Sequence, residues 1–88
     1  MHKSHKTLLK ELEEAASVVP IGSLYYHYKN PQLYYKVINL AITEADDTIC
    51  VIYEAQYDDN LVFVRPLKSW LDKVEWNGTT TDRFTLLK

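Results

Sequence analysis

The stretch Tyr53-Glu54-Ala55-Gln56-Tyr57-Asp58-Asp59-Asn60-Leu61-Val62-Phe63-Val64-Arg65-Pro66-Leu67 decides how this chain is read. Two runs rich in β-branched and aromatic residues flank a short acidic turn, which is the pattern of paired strands. The second run stops at Arg65-Pro66. Proline's fixed φ suits the first position of a helix, and its missing N–H costs nothing there. The expected order is strand, turn, strand and helix start. Phe63 and Val64 are assigned to the core, and Arg65-Pro66 is the hinge between sheet and helix.

Working outward, the same period of two recurs upstream. Strands are expected over 24–29, 33–43, 48–57 and 61–65, with turns at Asn30-Pro31-Gln32 and Glu44-Ala45-Asp46-Asp47. Such short connections make neighbouring strands antiparallel. Over 33–43, Tyr34, Lys36, Ile38, Leu40 and Ile42 form the better core face. Residues 4–17 carry an apolar stripe at helical spacing, Leu8, Leu9, Leu12, Ala15, Ala16 and Val19, with Ser4 or Thr7 as cap. Val19-Pro20 ends that helix. Downstream, Leu67, Trp70, Leu71 and Val74 predict a helix over 67–74, closed by Asn77-Gly78, and Arg83 to Leu86 predicts a last strand.

The fold class is therefore mainly β: a small SH3-like barrel of about five antiparallel strands, with an N-terminal helix and a short helix before the last strand. An open sheet with the first helix laid across one face is the alternative. Residues 1–19 read as a helical extension and 20–88 as the barrel-like body of a single domain.

Composition limits the function classes. A chain of 88 residues is one small domain, and 47% hydrophobic with 25% charged residues suits a folded one. A net charge of −2 gives no overall drive toward nucleic acid or anionic membrane. No apolar run reaches the ~18 residues of a membrane span, and Met1 is followed by His-Lys-Ser-His-Lys rather than an apolar leader, so a cytoplasmic location is expected. Cys50 is the lone cysteine, inside an apolar run, and reads as a small buried hydrophobe. His2 and His5 lack a third ligand, so no metal and no cofactor is expected.

Chemistry concentrates in aromatic and basic residues. All seven tyrosines lie between Tyr25 and Tyr57. Tyr25, His27 and Lys29 share one strand face, and a histidine beside tyrosine hydroxyls can contact a ligand or move a proton. Arg65 and Arg83 are always charged and must find carboxylates, carbonyls or a ligand. One reading makes them an anion clamp. The other spends them on Asp58, Asp59, Glu54 or backbone carbonyls. No nucleophile elbow, phosphate loop, dinucleotide fingerprint or zinc-protease motif is present, and no catalytic residue is assigned.

The order of these pieces resembles one family. Gly22, then Tyr25-Tyr26-His27-Tyr28-Lys29, Tyr35-Lys36-Val37, Ile52-Tyr53 with Tyr57, Phe63-Val64-Arg65-Pro66-Leu67 and Arg83-Phe84 are similar to the pattern of a small bacterial domain, domain-of-unknown-function family 1653. Phe63 stands where that family usually has tryptophan, and Ala41-Ile42-Thr43 where it often has Ala-Arg-His. The resemblance implies a compact domain with a preferred site and no known activity.

The leading expectation is a non-enzymatic binding module. Its aromatic and arginine-lined groove would hold Tyr25, His27, Lys29, Tyr53, Tyr57, Arg65 and Arg83, with a peptide or small anionic ligand as partner. Nucleotide or single-stranded nucleic acid, bound through Arg65, Arg83, Lys29 and Lys36, is one alternative. A small enzyme using His27 as general base is another. A homodimer through the N-terminal helix is possible.

Overall fold

The computed structural model describes residues 2–87. Its order is α1 (His5–Val18), β1 (Leu24–His27), β2 (Asn30–Thr43), β3 (Thr48–Ala55), β4 (Val62–Pro66), α2 (Leu67–Trp70), β5 (Lys73–Trp76), β6 (Thr79–Asp82) and β7 (Phe84–Leu86). The first helix starts as its sequence dictates, with the Ser4 side chain accepting from the Thr7 N–H. It ends at Val19, held extended before Pro20.

Five antiparallel strands form one sheet in the order β4-β3-β2-β1-β7. The last strand joins β1 and does not reach β4, so the expected closure into an SH3-like barrel does not occur. The open sheet with α1 across one face is what forms. It is nevertheless strongly curled. On a flat sheet β3 and β7 would stand roughly 14 Å apart, yet the rings of Tyr53 and Phe84 lie 5.7 Å apart centre to centre. Register shifts at Tyr26/His27 and between Val37 and Asn39 supply local bends.

The second shift corrects the expected core face. Val37 pairs with Tyr53 and Asn39 with Ile52, which leaves Ile38 as an extra residue. Before this bulge Tyr35 and Val37 point inward; after it Leu40 and Ile42 do. A strict period of two across one long strand cannot see such a flip. The first turn also moves, to Tyr28-Lys29, and Pro31 falls in an irregular stretch of β2.

The predicted two-turn helix is a single turn, Leu67–Trp70. Beyond it β5 and β6 form a separate hairpin around Asn77-Gly78, both at positive φ (55° and 78°). Two such residues between β-branched flanks are the demand of a tight hairpin, a stronger signal than the weak helical spacing of Val74. Phe63 and Val64 are not core: β4 is an edge strand, and they are 41% and 62% exposed.

The core lies on the concave side. Val37, Val51, Tyr25, Tyr53 and Phe84 come from the sheet, Ala15 and Val19 from α1, and Trp70 from α2. Trp70, 2% exposed, stacks on Phe84 at 3.8 Å with rings 5° from parallel. Tyr25 and Tyr53 meet Trp70 edge-on at 5.2 and 4.9 Å. Cys50 is buried, and burial raises its thiol pKa. Trp70→Ala removes the centre of this cluster. Urea denaturation should show a loss of about 3–5 kcal/mol, whereas Trp76→Ala on the hairpin, 42% exposed, should cost far less.

Candidate functional site

Beside the Trp70–Phe84 stack the curled sheet leaves a concavity of about 350 Å³, lined by His27, Lys29, Asn30, Tyr35, Tyr53, Phe63, Arg65 and Phe84. Strand alternation explains the membership. His27, Tyr35, Tyr53, Phe63 and Arg65 all project to the concave side. Arg65 pairs with Val51 across the ladder, immediately before the Pro66 hinge.

Arg65 is held by neutral groups. One Nη donates to Ser69 Oγ at 3.0 Å, and Nε reaches the Tyr53 hydroxyl at 3.5 Å. The guanidinium carbon lies 5.3 Å from the centre of the Phe84 ring, a cation–π arrangement. The ion pairs among the described residues are His2–Asp47, Lys3–Glu11 and Lys73–Asp82, so neither Arg65 nor Arg83 meets a carboxylate there. The guanidinium fork has more N–H donors than these contacts use, and it borders open space.

His27 registers the same field. Burial lowers its pKa below the ordinary 6.5, and the charges of Arg65, Arg83 and Lys29 lower it further. The ring is therefore neutral at pH 7. Its Nδ1 accepts from the Lys29 N–H at 3.3 Å, which leaves the proton on Nε2 as a donor. Tyr35 donates to or accepts from Tyr57 across 2.6 Å between hydroxyls. Burial, then that bond, pushes the Tyr35 pKa up to about 12.

Four of the residues singled out in sequence, His27, Lys29, Tyr53 and Arg65, line this one concavity. Tyr57 stands behind Tyr35 and Tyr25 behind Trp70, so both support the walls instead of forming them. Arg83 contributes charge at His27; its Nε is buried with no hydrogen-bond partner among the described residues. Sequence reasoning missed Asn30, Tyr35, Phe63 and Phe84 as lining residues. Tyr35 was hidden by the bulge at Ile38, and Phe63 by its assignment to the core. Lys36 is on the opposite face, paired with Glu54 in the ladder.

A smaller space of about 220 Å³ lies on the far side of the aromatic stack, bordered by Val18, Val19, Leu71 and Leu86 and by Asp82, whose carboxylate is paired with Lys73. At the other end of the molecule His2 Nδ1 and the Lys3 N–H bond Asp47, at 3.1 and 2.7 Å. Those bonds hold the Asp47 carboxyl below its usual range, the Lys3 bond foremost.

The chain is thus a small, mainly β domain on a curled five-stranded sheet, with Arg65 beside an aromatic-walled hollow. The chain belongs to the family described as protein of unknown function DUF1653, whose model matches residues 23–86. It is similar to the crystal structure of a protein of that family from Bordetella bronchiseptica, with 25% identity and a TM-score of 0.66 over 75% of this chain and 85% of that one. No curated protein matches it. No helix among the described residues is long and apolar enough to cross a membrane.

The field on His27 gives a direct check. Its NMR titration midpoint should fall below 6.5 in the native protein and move upward in Arg65→Gln. Because the folded-state value is the lower one, this group's stabilising contribution is complete above about 6.5 and declines as pH falls toward the folded value. A midpoint unchanged by Arg65→Gln would remove the coupling.

Proposed function

We propose that this domain is a binding module whose concavity takes the carboxylate or phosphate of a small or peptide-borne ligand. The single observation that carries this reading is Arg65. Its charge borders an aromatic hollow, with unused donors and no carboxylate partner among the described residues. A guanidinium in such a place is suited to bidentate recognition of an oxyanion. Lys29 and the His27 Nε2 proton add donors to the same space. The rings of Tyr35, Tyr53, Phe63 and Phe84 offer faces and edges to an apolar or planar part of the ligand.

The other readings are less well supported. Nucleic acid would need a tracked row of cations, yet Lys36 lies on the other face opposite Glu54. A general base is strengthened by a raised pKa near working pH, yet His27 is weakened by the cations around it. Hydrogen bonds here also orient its ring through Lys29 N–H and not through a carboxylate.

Benzoate, a planar carboxylate, is a suitable probe. Its titration should move the amide and side-chain resonances of His27, Tyr35 and Arg65 together. Arg65→Gln should weaken binding about tenfold, the scale of one lost charge-assisted bond, while leaving the fold intact. Affinity should also rise as pH is lowered through the His27 titration, because a bound anion favours the protonated ring and linkage is reciprocal. Shifts confined to the surface around Lys68 and Lys73, or equal affinity in Arg65→Gln, would overturn the reading.

A further inference from the structure

The edge of β4 is open. It ends the five-stranded sheet, and among the described residues nothing pairs with its outer side. Leu61, Val62, Phe63 and Val64 are four consecutive apolar residues, all exposed. A free, apolar strand edge is a template for another strand, and natural proteins usually blunt such edges with lysine, bulges or cover. In β4 only Arg65 and Pro66, at its end, are devices of that kind, and Val62–Val64 carries none.

The phase of the ladder says which groups are available. The Ala55 N–H donates to the Leu61 carbonyl at 2.9 Å, and the register continues through Tyr53–Phe63 and Val51–Arg65. Bonded pairs recur at every second residue of an antiparallel ladder. Leu61, Phe63 and Arg65 therefore turn their main chains toward β3. Val62 and Val64 turn theirs outward, each with one N–H and one C=O. Pro66 has no N–H and ends the row.

We propose that β4 accepts an extended peptide of a partner protein as an added antiparallel strand, with an acidic side chain of that peptide set opposite Arg65. Charge complementarity selects this occupant. Arg65 projects to the concave side of the same strand, and it lacks an acidic partner among the described residues. Its main chain faces inward, so its position toward an added strand is a non-hydrogen-bonded one, where facing side chains come closest. The residues facing Val62 and Val64 would be aliphatic, because those two side chains form an apolar strip on the convex side. A second copy of this chain is the poorer match: pairing two β4 strands about Phe63 sets Arg65 against Leu61, and the register that sets it against Asp59 draws on a turn residue outside β4. The inference rests on the anion reading for its charged contact, and it adds the main-chain contact and the kind of partner.

The test uses the full chain with a capped peptide of core Glu-Val-Tyr-Val, its Lys-Val-Tyr-Val counterpart, and a Glu-Val-Tyr-Val peptide N-methylated at the residue facing Val64. Amide exchange at Val62 and Val64 should slow at least about tenfold with the first peptide. The Glu peptide should bind about fivefold more tightly than the Lys peptide, and the N-methylated one should neither bind nor protect. If benzoate still shifts His27 and Tyr35 while Val62 and Val64 stay unprotected with every peptide, strand addition is wrong and the anion site stands. If benzoate fails but the Glu and Lys peptides protect β4 equally, the acidic contact is wrong. If Val62 and Val64 are already protected in the free protein and light scattering gives a dimer, the occupant is a second copy and the proposal falls.

Discussion

The face-to-face stack of Trp70 on Phe84 is the contact on which the rest of the structure depends. Trp70 belongs to the one-turn helix that Pro66 starts, and Phe84 to the strand that arrives last. Their stack holds the two ends of the sheet order toward one another without any strand pairing between them. It draws Tyr25 and Tyr53 in as edge-on partners, which accounts for the strong curl of a sheet that never closes. Burial of this cluster also compensates for the modest core available to a chain of this size.

The stack then sets the chemistry beside it. Phe84 presents its other surroundings to Arg65, whose guanidinium lies near the ring and is steadied by the Ser69 and Tyr53 hydroxyls. Neutral partners position a cation without neutralising it. The excess is felt at His27, whose pKa is lowered first by burial and then by Arg65, Arg83 and Lys29 around it. A chain that is acidic overall thus brings Lys29 and Arg65 together at an aromatic hollow. The open β4 edge runs along the same side of the molecule, so main-chain and charged recognition can act on one extended ligand.

Much of this was legible in the sequence, for identifiable reasons. The Ser4 cap, the Val19-Pro20 stop, the antiparallel meander and the Arg65-Pro66 hinge follow from local chemistry and appear where expected. Four lining residues, His27, Lys29, Tyr53 and Arg65, were named because Tyr, His and Arg clustered at strand ends. What was hidden depended on long-range geometry. The bulge at Ile38 exchanges the faces of β2 and turns Tyr35 into the site, and a period of two carries no mark of it. The edge position of β4 exposes Phe63 and Val64, and that depends on which strand β7 joins. Asn77-Gly78 is a hairpin signal in its own right, but the spacing of Trp70, Leu71 and Val74 competes with it by favouring a longer helix.

Arg65 is held by neutral groups and meets no carboxylate among the described residues, and the proposed role makes it the receptor of an oxyanion. The most direct measurement is the side-chain NMR spectrum of Arg65 itself, observed at Nε and Nη with and without benzoate. Nε–H and the free Nη protons should shift downfield together on addition of the carboxylate, with rotation about the guanidinium bonds slowed, while Arg83 changes little. An Arg65 spectrum that is already locked in the free protein and indifferent to carboxylate would contradict it.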